Sequence, residues 1–171
     1  MPKFWKRDMV PFFIEYMINK QLIQKMAEDF LLDTDNYLIE VKVSATNKIL
    51  VHIGNDQHVA IGDCIALSRK IEHSLDREAE DFELEVGSPG IDQPFKVLRQ
   101  YQKYLGKDVE IKTSNGLKYS GVLTSATEQE VMLLPKLKKS NKKSIKSPAN
   151  ANEHLKFSMD DISETRLVIK I

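Results

Sequence analysis

The sequence predicts an α+β protein built as two modules: an N-terminal α/β module ordered helix-strand-strand-helix-strand, then a five-stranded β-barrel. Three observations predict it. Apolar residues recur at mixed helical and alternating spacing up to Val86, and at almost purely alternating spacing beyond Leu105. Between the two regimes stands a stretch crowded with chain-stiffening and turn-forming residues, GSPGIDQP, from Gly87 to Pro94. The charge divides at the same place: residues 1–94 carry ten Lys and Arg against seventeen Asp and Glu, and residues 95–171 carry fifteen against eight. A net charge of zero thus hides an acidic half and a basic half, which places phosphate contacts in the second and cationic partners at the first.

The elements follow in order. Ile18, Leu22, Ile23, Met26, Phe30 and Leu31 recur at the spacing of one helix face, and Asp33-Thr34-Asp35-Asn36 closes that helix with turn chemistry. Tyr37, Ile39, Val41 and Val43 alternate as a strand does, and Ile49, Val51 and Ile53 repeat the pattern after a short link, so the two make a hairpin. A second helix begins around Gly62-Asp63, with Cys64, Leu67, Ile71 and Leu75 inward and Arg69, Lys70, Glu72 and Arg77 outward. Phe82, Leu84 and Val86 alternate with Glu83 and Glu85, which gives a third strand with one acidic face. Beyond the Pro/Gly stretch, Phe95, Leu98, Tyr101 and Leu105 mark a short helix closed by Gly106. Strands are then predicted over 109–112, 117–125, 130–134, 154–159 and 166–171, with Ser114-Asn115-Gly116 as a hairpin turn. Residues 136–152 lack periodic apolar positions and read as a Lys-rich loop.

Length and composition narrow the classes. A chain of 171 residues can bury either one core or two small ones. No apolar run reaches the roughly 20 residues of a membrane span. The single cysteine excludes an internal disulfide framework and a cysteine-based zinc site, which fits a reducing, cytoplasmic setting. His52, His58, His73 and His154 are scattered, so neither a metal site nor a cofactor is expected. Residues 1–16 imitate the start of a signal peptide, but Glu15 cuts the apolar run and no small-residue cleavage site follows; Met17 is the expected natural start and 1–16 a mis-called or disordered leader. The modules are accordingly bounded at 17–94 and 95–171.

Ser88 raises the question of catalysis, because a serine between glycines is the mark of a nucleophile elbow. Here Gly87-Ser88-Pro89-Gly90 places the first glycine one residue too close, and Pro89 has no N–H to serve as the oxyanion donor that follows such a serine. A phosphate nest loses the same donor. A stiff joint accounts better for the residues: Pro89 drives Ser88 extended, Pro89-Gly90 suits a type II turn, and Pro94 preorganises the next helix with Asp92 or Gln93 as its cap. Ser88, Pro89, Gly90 and Pro94 are therefore expected to form an interdomain joint that holds two oppositely charged lobes in one pose. No enzymatic activity is expected.

Three runs in order, GDCIALSRKIEHSLD from Gly62, FELEVGSPGIDQPF from Phe82 and LGKDV from Leu105, closely resemble the bacterial ribosome maturation factor RimP family, from about residue 18 to the C-terminus. The chain departs from that pattern at Gly87, where the family has Ser, and at Gln93, where it has Arg. The resemblance implies that the second module is an Sm-like barrel. It also implies a non-enzymatic, monomeric assembly factor that binds the precursor of the small (30S) ribosomal subunit and its 16S rRNA near the central pseudoknot, and helps the ribosomal protein S-twelve to enter. The alternative of another class is an Sm-like RNA-binding regulator acting as a ring oligomer, which a size measurement separates from a monomer. A hydrolase using Ser88 is third.

Candidate contacts follow from charge. Lys136, Lys138, Lys139, Lys142, Lys143 and Lys146 crowd a short stretch without an acidic residue and are the expected RNA-binding set. Glu83 and Glu85 are the expected contacts for the basic ribosomal protein. Tyr101 and Tyr104 sit on the short helix and Phe157 is assigned to the core, so no base-stacking platform is evident. Cys64 shares the inward stripe of Leu67 and Ile71 and is read as a buried small hydrophobe.

Overall fold

A computed structural model of the protein describes residues 18–136 and 153–170; the leader and, of the lysine set, Lys138, Lys139, Lys142, Lys143 and Lys146 lie outside them. The chain divides between Pro89 and Gly90 into two compact units.

The first unit opens with α1 (Lys20–Leu31), whose N-terminus is capped by Asn19: its side-chain oxygen accepts from Leu22 N at 2.8 Å, satisfying one of the donors every helix start leaves over. Strands β1 (Asn36–Val43) and β2 (Lys48–Asn55) pair antiparallel. Helix α2 (Ile61–Ser74) then carries the chain across so that β3 (Glu83–Gly87) pairs parallel to β2, in sheet order β1-β2-β3. A parallel neighbour requires such a crossover.

Alternation along β2 puts Ile49, Val51 and Ile53 on one face, where they are sealed against Ile23, Ala27 and Leu31 of α1 and Leu67 and Ile71 of α2. The helices thus cover one side of the sheet. On the other side the Tyr37 ring lies so close to Gly54 that a Cβ there would stand 2.7 Å from it. A polar bridge ties sheet to helix: buried Asn36 donates to Asp63 in the first turn of α2 at 2.9 Å and accepts from Asn55 at 3.0 Å.

The second unit has α3 (Leu98–Lys103) followed by β4 (Asp108–Thr113), β5 (Lys118–Ala126), β6 (Glu130–Pro135), β7 (Leu155–Ser158) and β8 (Ile162–Leu167). All pairings are antiparallel, in the order β7-β6-β5-β4-β8. Phe95, Tyr101, Val109, Ile111, Leu123, Val131 and Leu133 form its core. Tyr101 donates to the buried Thr165 hydroxyl at 2.9 Å, and Phe95 N donates to Thr165 O at 2.8 Å, so both residues hold the approach to α3 against β8.

Several expectations need correction. The five strands form an open antiparallel sheet and do not close as a barrel. β7 is only four residues long, and the single 3-10 turn Met159–Asp161 passes the chain directly to the opposite edge, so among the described residues no ladder joins β7 to β8. The last strand ends at Leu167, and its predicted position was shifted toward the apolar run Val168-Ile169, both of which are exposed. Its true inward residue is Thr165, whose hydroxyl is satisfied by Tyr101 and so survives burial. The short helix starts at Leu98, too late for Pro94 to lie in its first turn; Gln100 Oε1, accepting from Lys96 N and Val97 N, does the capping expected of Asp92 or Gln93.

Candidate interaction site

The register of β3 places its two glutamates. Glu83 lies opposite Lys48 and Glu85 opposite Leu50, whereas Leu84 and Val86 lie opposite the core residues Ile49 and Val51. With a side-chain period of two, both carboxylates project from the face of the sheet away from the helices, and both are exposed. Glu83 is paired with Lys48 at 3.2 Å, whereas Glu85 lies beside the apolar Leu50.

This placement depends on the Ser44–Lys48 link. Asn47 adopts a left-handed backbone (φ 58°), and its amide donates to Glu80 at 2.8 Å and to Asp81 O at 3.2 Å, while its own carbonyl accepts from Glu83 N at 3.1 Å. The hairpin is thereby stitched to the start of the acidic strand. Arg77 reinforces the same segment, spanning Glu72 at 2.9 Å and Phe82 O at 3.1 Å with its guanidinium 4.3 Å from the Phe82 ring. Its placement is structural as well as surface.

Beside β3 runs a groove of about 480 Å3 bounded by α2. Ile61, Cys64, Ile65, Leu84 and Val86 give it an apolar wall, and Arg69, Glu72 and Glu85 contribute polar groups. Cys64 is half-buried on that wall: it packs against the core with Leu67 and Ile71 as its spacing predicts, but it also borders the groove and is not fully buried. Burial pushes its thiol up from the usual range, and the Asp63 carboxylate adds to the effect, so it is a protonated, weakly reactive side chain at neutral pH. The sequence reading missed Ile61 and Ile65, although their four-residue spacing on a second stripe of α2 was the available signal.

At the joint, Ser88 is exposed and Pro89 half-buried. Gly90 is not in the left-handed region, so the type II turn does not form. The turn lies two residues later, where Gln93 N donates to Gly90 O at 3.0 Å. An added Cβ at Gly90 would stand 2.6 Å from Asp92 Oδ1, the end of an exposed side chain that can turn away, and one at Gly87 meets nothing within 4 Å, so sterics demand glycine at neither position. The departure at Gly87 from the serine of the family the sequence resembles therefore meets no steric demand. Pro94 is half-buried just before Phe95.

Of the lysine set, Lys136 lies in the described residues. Its ammonium stands 2.7 Å from Asp108 Oδ1, an ion-pair contact without hydrogen-bond alignment, and Lys170 approaches Oδ2 at 2.9 Å. Lys136 first and Lys170 second hold the Asp108 carboxyl below the usual carboxylate range. A phosphate reaching Lys136 therefore competes with Asp108. Tyr101 is buried, Tyr104 stacks on Phe95 at 5.3 Å, and the half-buried Phe157 contacts Tyr119 at 5.0 Å beside the core. Among the described residues no group of His, Cys, Asp and Glu is arranged to hold a metal ion, and no helix is long and apolar enough to cross a membrane.

Comparison with known proteins adds an independent observation. Residues 26–92 match the family model described as the RimP N-terminal domain. A Porphyromonas gingivalis protein named ribosome maturation factor RimP is 38% identical over 117 residues, covering 68% of this chain and 77% of the relative. Its namesake from Christiangramia forsetii is 39% identical over 115 residues, covering 67% and 74%. The one from Cytophaga hutchinsonii is 32% identical over 158 residues, covering 86% and 90%.

Proposed function

The chain belongs to the RimP family of ribosome maturation factors, and from that premise we propose that it assists assembly of the small ribosomal subunit by binding, without catalysing a reaction. Its first unit takes a basic small-subunit ribosomal protein, S-twelve by resemblance, at Glu83 and Glu85. Its second unit takes precursor 16S rRNA through the lysines of 136–146. Ser88, Pro89, Gly90 and Pro94 connect the two. The observation that carries this reading is the outward, exposed pair of carboxylates on β3, a cation-seeking face in a chain whose second half is basic.

Differential affinity supplies the mechanism: a factor that binds an immature particle more tightly than a mature one raises the population of the productive intermediate and leaves as the mature surface forms. A short helix followed by a five-stranded antiparallel sheet, with the last strand returning beside the first, supports an Sm-like second unit. The factor acts as a cytoplasmic monomer without a cofactor. Affinity capture from a lysate tests this: precursors of the small subunit should be enriched over mature subunits, and equal recovery of both would refute it. A ring-sized particle in a sedimentation measurement would favour the Sm-like regulator instead.

A further inference from the structure

β3 is one of the two outer strands of its sheet, pairing with β2 and, among the described residues, with no other strand. An outer strand presents unpaired backbone donors and acceptors, and charged side chains on it discourage indiscriminate pairing. Glu83 and Glu85 supply those charges. Next to the edge lies the groove whose α2 wall holds Ile61 at 79% and Ile65 at 47% exposure, large aliphatic side chains left in water beside a free strand.

We propose that β3 accepts an added strand from a protein partner, in an extended segment where Lys or Arg alternates with Val, Ile or Leu. The register dictates the alternation. On a strand laid along β3, side chains on one face neighbour Glu83 and Glu85, and those on the other enter the groove between Leu84, Val86 and Ile65. Basic residues satisfy the first set and aliphatic residues the second. A second copy of β3 is a poor occupant, because it would bring glutamates beside glutamates. The inference rests on the reading that the acidic face serves a basic ribosomal protein, and it specifies how that protein is held.

The test uses the purified full chain and a short synthetic peptide alternating Lys and Val, compared with a peptide of the same composition in two blocks. The alternating peptide should protect from hydrogen exchange the amides of Leu84 and Val86, which face the open edge because Glu83 N is turned the other way toward Asn47 O, and should bind about tenfold more tightly than the block peptide. Replacing both glutamates (Glu83→Gln, Glu85→Gln) should weaken it by a similar factor, as should Ile65→Ser; an unchanged urea midpoint shows that these variants fold. Equal binding of the two peptides, or no protection in β3, would overturn the proposal. So would β3 protection without peptide that rises with protein concentration, the mark of a second copy, or that disappears when residues 1–16 are deleted, the mark of the leader. Since no ribosomal component is present, failure of the peptide overturns the strand inference alone. Loss of precursor enrichment with normal peptide binding overturns the ribosomal-protein reading alone.

Discussion

At the scale of single residues, Asn47 and Asp108 each concentrate several interactions. Asn47 holds a left-handed backbone that asparagine tolerates better than most side chains, and its amide makes two hydrogen bonds toward β3. Asn47→Ala should lower stability by about 2 kcal/mol, from lost hydrogen bonds and backbone strain together, whereas Asn47→Gly should cost about 1 kcal/mol because glycine removes the strain. Urea midpoints of the two variants measure the difference. Asp108 is held in its charged form by Lys136 and Lys170, so its folded pKa lies below the unfolded one. Its contribution is complete above the ordinary carboxylate value of about 4 and disappears as pH falls through the lowered folded value. Asp108→Asn should cost about 1 kcal/mol at neutral pH, since both ammonium groups remain largely solvated, and the gap from the parent should close in strong acid. A pH series of unfolding curves checks the sign.

At the scale of elements, the strands of the second unit are held closer than their apolar patterns reveal. Gly121 of β5 faces Val109 on one side and Pro135 on the other, and a Cβ there would collide with the Leu134 carbonyl oxygen and Pro135 Cα. Backbone on both sides leaves no flexible side chain to yield. Gly121→Ala should therefore destabilise by about 2 to 3 kcal/mol in thermal unfolding, while Gly87→Ala, with open space, should stay within about 0.5 kcal/mol of the parent. Periodicity revealed α1, α2, β2 and β3 because their inward residues are aliphatic and regularly spaced; in β1 it assigned Tyr37 and Ile39 to the inward face, but a bulge between Leu38 and Glu40 shifts the register, so Leu38 joins Val41 and Val43 there instead. It misplaced β8 because that strand buries Thr165, a polar residue tolerable only through the distant partner Tyr101, and because exposed Val168 and Ile169 imitate its continuation.

At the scale of the whole molecule, the opposite charge of the two halves governs what each can bind. If the lysines of 138–146 neutralise phosphates, replacing Lys138, Lys139, Lys142, Lys143 and Lys146 by Ser should flatten the dependence of log affinity for precursor rRNA on log salt by about 3.5 to 4.5 units. An unchanged slope would remove that segment from the RNA-binding surface. Lys136→Ser should add less than its neighbours, because Asp108 already occupies its ammonium.

Much of this protein was determined along the chain itself: family, element order, the acidic character of β3 and the change of charge after it. These depend on local spacing, on turn residues and on composition, all of which act between neighbours. The tertiary structure decided that β3 lies at an outer edge of the first sheet, that Cys64 and Ile65 share a groove beside it, that Lys136 is paired, and that the second sheet remains open. Each of those depends on residues far apart in sequence meeting in space, as Asp108 meets Lys170 and Tyr101 meets Thr165. No periodicity records such meetings, because only packing brings the partners together.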